Sequence, residues 1–335
     1  MGKIRVGLIG CGGRAGNHMS QLIRMEDVQV VAVADPIEGR RLAAAEKFGC
    51  ENIYANGDEL LDSAKGNVDA LFICVEPTAH GNMELRAVEL GIPFLVEKPM
   101  SLDLEYAEKV ALEAEKKGLI TAVGFQDRYQ DLTDIIKKDL PNHKPGGLVY
   151  GAWVGGIPGV WWWQKKSCCG GQLVEQNIHL LDELRYLFGE PLSIYATCSE
   201  GIVKAGEGCS EEYKNDDHST AVIRFENNVT ATLVSGCYIR RGVGTRPRCG
   251  LYITLEDIIY DYRLRNNLII ETVEETRDIP RKADQTFTQD RAFIDAVATG
   301  NRGLIRSDYT DALKSLKLAF AANESMESGK VIYFK

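Results

Sequence analysis

Three ionisable side chains recur at helical spacing in the segment 170–189, which reads GGQLVEQNIHLLDELRYLFG. Glu175, His179 and Asp182 occupy positions i, i+4 and i+7, so one helix would place all three on the same face. An imidazole beside two carboxylates can exchange protons near neutral pH, and the same side chains can ligate a metal ion. The alternative is a solvated helix face with a hydrogen-bonded histidine. This segment by itself leaves both interpretations open.

A hydrophobic stripe predicts the helix that would carry these side chains. Apolar residues recur at helical spacing and should face a core, and Gly189 is typical of a helix C-terminus. The stripe consists of Val174, Ile178, Leu181, Leu184, Leu187 and Phe188. Because buried ionisable groups are costly unless they are paired or used, the rest of the chain must decide their role.

A glycine-rich turn close to the N-terminus has the spacing of a dinucleotide-binding motif. Residues 4–9 form an apolar strand pattern, and the turn that follows fits G-x-G-x-x-A. It reads Gly10, Cys11, Gly12, Gly13, Arg14 and Ala15. The first glycine permits a tight turn, the second lets a pyrophosphate approach the backbone, and the small third residue allows close helix packing. A helix over residues 15–25 would direct its N-terminal amides toward the phosphates.

An acidic residue at the end of the second predicted strand indicates which cofactor the turn would hold. Residues 28–34 form that strand, and Asp35 follows it directly. A carboxylate at this position is placed to hydrogen-bond the adenosine ribose hydroxyls and would repel a 2′-phosphate. We therefore expect NAD as the cofactor, while Arg40 and Arg41 keep NADP open as the alternative.

Further candidate cofactor ligands follow two apolar strands of the same half, predicted over residues 69–75 and 93–96. Ligands of open α/β sheets lie outside the carboxyl ends of strands, so the polar residues that follow should share one crevice. These residues are Glu76, Thr78, His80, Glu97 and Lys98. Most lysines are solvated surface charges, but Lys98 lies between an apolar strand and Pro99, at the edge where a nicotinamide would lie.

The second half of the chain changes character. From residue 148 onward, short segments rich in Val, Ile, Thr and Tyr alternate with turn residues. The predicted strands cover 148–154, 192–197, 220–225, 229–238, 251–255 and 268–272. We therefore expect an α/β chain with a doubly wound parallel sheet in a dinucleotide-binding domain, residues 1–123. A domain with a large, mainly antiparallel open sheet, residues 124–335, would bind the substrate, and its last helices are placed to pack back on the first domain.

Two surface features of this second domain predict contacts. Several strands carry apolar residues on both faces, so we expect a second subunit to cover the sheet. Three consecutive tryptophans, residues 161–163, cannot all enter one core from a loop, so Trp162 or Trp163 is a candidate for stacking on a sugar ring. A hydrophobic lid or a subunit contact explains them equally well.

Composition excludes several classes of partner. The 335 residues carry a net charge of −9 and the sequence pI is about 5.3, which argues against a nucleic-acid partner or an anionic membrane surface. No apolar run approaches the ~20 residues of a membrane span, and no signal-peptide pattern begins the sequence. The nine cysteines form no C-x-x-C pair and no zinc spacing, as in a reduced compartment. We expect a cytoplasmic protein without a metal site.

The chain resembles the Gfo/Idh/MocA family, the relatives of glucose–fructose oxidoreductase and inositol dehydrogenase, over essentially its whole length. The resemblance rests on the glycine turn at 10–15, on Glu97-Lys98-Pro99, on Gly124-Phe125 with Arg128-Tyr129, on Gly170-Gly171 through Glu175, His179 and Asp182, and on the tail 307–329. It implies a Rossmann domain followed by a domain built on a large open sheet. It also implies a pyridine-nucleotide oxidoreductase that acts on sugars, inositols or related polyols, usually as a dimer or tetramer packed through the sheets.

The resemblance also implies roles for single residues. Lys98 matches the family lysine that contacts the reacting hydroxyl, and His179 matches the histidine usually assigned as proton acceptor or donor. Glu175 stands where many members have aspartate, and Cys168-Cys169 stands where a glycine run is commoner. Substrate contacts would come from Arg128, Tyr129, Trp162, Trp163, Glu175 and Asp182.

Three other functions remain as alternatives. A glycoside-cleaving enzyme could use transient NAD-mediated oxidation followed by elimination and reduction, with no net change of cofactor. A metal-dependent hydrolase could use Glu175, His179 and Asp182 as ligands, but would not need the glycine turn. A regulator could bind the nucleotide without catalysis, but the presence of both Lys98 and His179 argues against it.

Overall fold

Two sheets organise the chain, and each belongs to a separate unit. The computed structural model describes residues 2–240, 243 and 248–334. One unit consists of Met1–Tyr129 with Asp284–Leu313, and the other of Gln130–Ala283 with Lys314–Lys335. The domain boundary between residues 123 and 124 stays a prediction, as do the cofactor-binding and substrate-binding roles of the two domains.

The sheet of the first unit has six parallel strands in the order β3-β2-β1-β4-β5-β6. The strands are β1 Ile4–Ile9, β2 Val28–Ala34, β3 Asn52–Tyr54, β4 Ala70–Ile73, β5 Phe94–Val96 and β6 Thr121–Val123. This is the strand order of a doubly wound dinucleotide-binding fold, and its central strand β4 is buried at every position. The predicted parallel sheet is therefore confirmed.

Eleven helices are found in the described part of the chain. They are α1 Gly13–Leu22, α2 Glu38–Phe48, α3 Gly57–Ala64, α4 Met83–Leu90, α5 Leu104–Lys116, α6 Asp131–Asp139, α7 Lys166–Cys169, α8 Gln172–Glu175, α9 Ile178–Phe188, α10 Gln285–Thr299 and α11 Tyr309–Ser328. Helices α1 to α5 and α10 belong to the first unit. Helix α10 contributes Phe293 to the core of that unit, where its ring meets Phe72 of β4 edge-on at 5.4 Å between centroids.

The sheet of the second unit has nine strands in the order β14-β13-β12-β11-β7-β10-β9-β8-β15. They are β7 Gly147–Val154, β8 Pro191–Ser199, β9 His218–Phe225, β10 Val229–Gly236, β11 Arg248–Thr254, β12 Ile259–Arg263, β13 Asn267–Glu271, β14 Thr276–Pro280 and β15 Ile332–Tyr333. Every neighbouring pair is antiparallel except β7 with β10. The predicted mainly antiparallel sheet is confirmed, although β12, β14 and β15 were not foreseen.

One face of this second sheet carries exposed apolar side chains. Exposed residues alternate with buried ones along β9, as period-two alternation requires. On the paired strands β7 and β11, Tyr150 stacks on Tyr252 at 5.0 Å between ring centroids, and Tyr150 is 54% exposed. Leu148, Tyr195 and Val222 are exposed as well. The expected second subunit on this sheet stays a prediction.

Candidate active site

The turn between β1 and α1 needs glycine at its first position. Gly10 has a φ of +85°, and a Cβ atom there would lie 2.5 Å from the carbonyl oxygen of Cys74 at the end of β4. Helix α1 begins at Gly13, has no acidic residue in its first turn and receives no hydrogen bond from a capping side chain. Its N-terminal amides thus suit a pyrophosphate, so the turn fits the diphosphate of a dinucleotide.

Asp35 lies where the sequence predicted a ribose ligand, directly after β2. Its Oδ2 accepts a hydrogen bond from the backbone N–H of Cys11 at 2.8 Å, and its Oδ1 accepts one from the N–H of Ile37 at the same distance. These bonds hold a buried carboxylate against the glycine turn. A Cβ atom on Gly12 would lie 3.7 Å from Nη1 of Arg40, so that guanidinium also lies beside the turn.

A buried cluster of charges lies between α1, the end of β5 and α10. The Nε2 atom of His18 is 3.0 Å from Oε1 of Glu97, and its Nδ1 is 2.9 Å from both carboxylate oxygens of Asp290. The Nε of Arg14 lies 2.8 Å from the same Oε1 of Glu97. Glu97 and Arg14 are among the predicted cofactor ligands, whereas His18 and Asp290 were not predicted as site residues.

The charges of this cluster shift one another's pKa values. Burial favours neutral forms, yet Asp290 and Glu97 outweigh it and raise the pKa of His18 to about 9. Burial is likewise overcome at Glu97, whose pKa lies well below its usual range because of Arg14 and His18. Both groups are therefore charged at neutral pH.

Gly124, directly after β6, leaves the space that the Glu97 carboxylate occupies. A Cβ atom on Gly124 would lie 2.4 Å from Oε1 of Glu97 and 2.6 Å from its carboxyl carbon. Any larger side chain would displace the carboxylate from its partners. Lys98 follows Glu97 directly, is half-buried, and is joined to Pro99 by a cis peptide bond.

The predicted cofactor ligands after β4 have separate surroundings. Thr78 is exposed and donates a hydrogen bond to Glu76 at 3.3 Å. His80 is buried, and its Nδ1 lies 2.5 Å from Oε1 of Glu84 in α4, which in turn accepts a bond from Tyr106 of α5. These contacts give His80 a packing role, and a cofactor contact for all three residues stays a prediction.

Arg128 and Tyr129 were predicted to contact substrate, and both are buried within the first unit. The Nη1 of Arg128 bonds the carbonyl oxygen of Arg306 and Oδ2 of Asp311, each at 2.6 Å. The hydroxyl of Tyr129 accepts a bond from the N–H of Arg306 at 2.8 Å. These bonds attach α11 and the segment before it to the segment that follows β6, and a substrate contact for Arg128 and Tyr129 stays a prediction.

The helix predicted over residues 170–189 is interrupted, so the prediction of one continuous helix was wrong. Glu175 ends the short α8, and α9 begins only at Ile178. Asn177 lies between them: its N–H bonds the carbonyl of Gln172, and its side chain donates to Ser235 of β10 at 2.6 Å. Glu175, His179 and Asp182 therefore do not share the face of one continuous helix.

His179 lies in the first turn of α9 and packs against an aromatic ring that the sequence analysis did not single out. Its ring and that of Trp153 in β7 are 6.0 Å apart between centroids, with 23° between their planes. Arg265 lies over the same indole, with its Cζ 5.8 Å from the ring centroid. Trp153 belonged to a predicted alternating strand, but nothing in that strand pattern indicated which helix it would meet.

Gly170 and Gly171 form the entrance to α8, with φ values of +80° and +93°. A Cβ atom on Gly171 would lie 3.2 Å from Cε of Lys166 and 3.3 Å from Oδ2 of Asp216. Those two side chains form an ion pair at 3.0 Å. This pair was not predicted, because the two residues are 50 positions apart in the sequence.

Two further predicted substrate residues, Trp163 and Asp182, are buried in the second unit. Trp163 is 1% exposed and packs as a core residue, whereas Trp162 is partly exposed. Asp182 accepts a hydrogen bond from Ser315 of α11 at 2.6 Å. That bond braces α9, and a substrate contact for Asp182 stays a prediction.

Two kinds of feature are absent from the described residues. No group of three or more His, Cys, Asp and Glu side chains is arranged to hold a metal ion there. No helix in the described part of the chain is long and apolar enough to cross a membrane.

Comparisons with known proteins identify the family. Residues 4–125 match the model described as an oxidoreductase family with an NAD-binding Rossmann fold, and residues 148–256 match the model of the GFO/IDH/MocA C-terminal domain. The chain therefore belongs to the Gfo/Idh/MocA family: it is an oxidoreductase with an NAD-binding Rossmann domain.

Relatives match along almost the whole chain. Myo-inositol 2-dehydrogenase of Thermotoga maritima is 24% identical, with 98% of both chains covered. The scyllo-inositol 2-dehydrogenase (NAD(+)) of Bacillus subtilis is 25% identical, with 98% of this chain and 95% of the relative covered. Among solved structures, a levoglucosan dehydrogenase in complex with NADH and levoglucosan superimposes with a TM-score of 0.86 at 18% identity, over 99% of both chains.

Proposed function

We propose that this oxidoreductase transfers a hydride between a nicotinamide and a secondary hydroxyl of a sugar, an inositol or a related polyol. The observation that carries the proposal is the full-length similarity to two inositol dehydrogenases in a chain that has both Lys98 and His179. The structure of levoglucosan dehydrogenase, which binds a sugar derivative, has the same fold.

His179 is the proposed proton acceptor and donor. Oxidation of a secondary alcohol removes a proton from the hydroxyl while the hydride leaves the carbon with two electrons. Bound NAD supplies the acceptor for that hydride. An imidazole, with an ordinary pKa near ~6.5, suits the exchange of the hydroxyl proton near neutral pH. The indole of Trp153 restricts the orientation of the His179 ring, which supports a defined direction of proton transfer.

Lys98 is the proposed partner of the reacting oxygen. An ammonium group stabilises the negative charge that develops on that oxygen as the proton leaves. Lys98 follows β5 in the same unit as the glycine turn, as ligands of open α/β sheets lie beyond the carboxyl ends of strands. Glu175 is proposed to bind neighbouring hydroxyls or to orient His179.

NAD is proposed as the preferred cofactor over NADP. The Asp35 carboxylate is held against the glycine turn by two backbone N–H groups, and a negative charge there disfavours a 2′-phosphate. Arg40 lies beside Gly12 and is the residue that would favour NADP. A homodimer or homotetramer through the exposed face of the second sheet is part of the same proposal.

A substrate panel tests this function. Inositols, aldoses, sugar acids and glycosides are each incubated with NAD and with NADP, and nicotinamide absorbance is recorded while the products are identified. We expect NADH and a ketone from at least one polyol or sugar. A cleaved glycoside without net NADH would instead establish transient oxidation followed by elimination. If none of these compounds gives a product, the proposal is contradicted.

A further inference from the structure

The buried cluster around His18 has a geometry that fixes the charge of its imidazole. Both ring nitrogens face carboxylate oxygens, Nδ1 toward Asp290 and Nε2 toward Glu97, at 2.9 and 3.0 Å. A neutral imidazole has one donor and one acceptor nitrogen, so one of two ionised carboxylates would face a lone pair. Only the imidazolium donates to both carboxylates. His18 therefore carries its proton as a structural feature.

Apolar and charged side chains surround the His18 ring. The residue is fully buried, and its ring packs on Phe72 with 5.4 Å between centroids. The charged groups that face the cluster are Asp290 from α10, Glu97 after β5, and Arg14 from α1. The buried thiol of Cys74, at the end of β4, and the ammonium group of Lys98 are further titratable neighbours of the cluster. Helix α10 is thereby connected through one ring to the segment after β5.

The Glu97 carboxylate is fixed from several sides. Its Oε1 receives both His18 and Arg14, and Gly124 packs directly against it. Since Glu97 directly precedes Lys98, contacts that fix the Glu97 carboxylate also restrain the backbone of Lys98. An error of about 1 Å in the position of a catalytic group costs about 100-fold in rate.

We propose that His18 is a positioning residue: as an imidazolium held by Asp290, it keeps Glu97 in place and thereby aims Lys98. This inference rests on the proposed role of Lys98 in hydride transfer. It assigns no contact with substrate or cofactor to His18. Burial lowers the pKa of His18, but Asp290 and Glu97 outweigh that effect and raise it to about 9. We therefore expect activity to decline when alkaline pH removes this proton.

The sharpest variant is Asp290→Asn, which keeps the shape of the side chain and removes its charge. NMR of histidine-labelled protein measures the titration of His18 without any substrate. We expect the pKa of His18 to fall by at least about one unit in Asp290→Asn, because one opposite charge is lost. A neutral His18 ring at pH 7 in the wild-type protein would overturn the inference even if no variant folds.

Activity tests the positioning role itself, with NAD and the best substrate of the panel. We expect kcat to fall about 10- to 100-fold in Asp290→Asn and in His18→Asn, while the Kd for NAD changes less than about threefold. In Asp290→Asn, the alkaline decline of kcat should begin at lower pH than in the wild type. Identical kcat values and pH profiles for Asp290→Asn and wild type would overturn the inference.

His143→Gln is the matched control. His143 also pairs with a carboxylate, that of Asp257, at 2.9 Å. It belongs to the second unit, whereas the residues of the His18 cluster belong to the first. Its kcat should equal that of the wild type. Lys98→Ala separates the two proposals. If Lys98→Ala retains normal turnover, the proposed function of Lys98 fails. If Lys98→Ala is inactive and Asp290→Asn is unaffected, only the role of His18 fails.

Discussion

The two units of the chain each contain a buried histidine, and the surroundings of the two rings differ. In the first unit, carboxylates face both nitrogens of His18, which therefore keeps its proton at neutral pH. In the second unit, His179 packs face to face on the indole of Trp153. A ring whose two nitrogens both face carboxylates is suited to keep a positive charge that holds other groups in position. A ring oriented by an aromatic face suits proton exchange with a substrate.

The largest effect on kcat is expected from removing the proposed reacting groups. This tests whether His179, and not His18, exchanges the proton with the substrate. His179→Ala and Lys98→Ala should each lower kcat at least ~100-fold, because proton transfer and oxyanion stabilisation are lost. NAD affinity, measured by titration calorimetry, should be nearly unchanged. Turnover within a few-fold of wild type in either variant would refute the corresponding role.

The second prediction concerns the fixed charge of His18 and the pH dependence of stability. The folded-state pKa of about 9 lies above the value of ~6.5 expected in the unfolded chain. The stabilisation is therefore complete below the unfolded value and is lost as pH rises through 9, with a total of roughly 3 kcal/mol. Urea unfolding at several pH values checks this decline.

His18→Asn provides the control for that measurement. The free energy of unfolding of this variant should decline less at alkaline pH, because the contribution of His18 is absent. The difference in stability between wild type and variant should therefore shrink as pH rises. A difference that stays constant from neutral pH to beyond 9 would show that His18 is not charged in the folded protein.

A smaller effect is expected from filling the space beside Glu97. Gly124→Ala would place a Cβ atom 2.4 Å from Oε1 of Glu97, so the carboxylate must shift away from its partners. We expect a loss of about 1–3 kcal/mol in the free energy of unfolding, together with a lower kcat. Chemical denaturation and steady-state kinetics measure the two effects.

Gly39→Ala is the matched substitution for Gly124→Ala. Gly39 lies within α2, and a Cβ atom there meets nothing within 4 Å. Alanine should therefore stabilise the helix by roughly 0.5–1 kcal/mol. Equal effects of the two substitutions would show that Glu97 is not constrained by Gly124.

Local patterns were sufficient to predict the main strands of the first sheet and the motifs on its edge, whereas the three-residue strand β3 was not predicted. The glycine turn, Asp35 and Lys98 each follow a short apolar strand, and the spacing within each motif is local. The large antiparallel sheet was also predictable, because its main strands alternate between polar and apolar residues. The edge strand β14 was missed since its sequence, TRDIP, is mostly exposed and carries no such alternation.

Contacts between distant residues account for what the sequence could not show. Asp290 is separated from His18 by 272 positions, and neither belongs to a known short motif. The available indication was a polar residue on a helix face that also carries Met19 and Leu22, which are buried. Likewise, Asn177 at the break before α9 bonds Ser235 of β10, which lies 58 positions further along the chain. Helical periodicity alone predicted one continuous helix.

The most direct test of hydride transfer follows an isotope from substrate to cofactor. The best substrate of the panel is prepared with deuterium on the carbon that becomes the ketone and is incubated with NAD. We predict that mass spectrometry finds the deuterium on the reduced nicotinamide, and that His179→Ala slows its appearance at least ~100-fold. Product formed without deuterium in the nicotinamide, or normal transfer in His179→Ala, would contradict the proposed reaction or the role of His179.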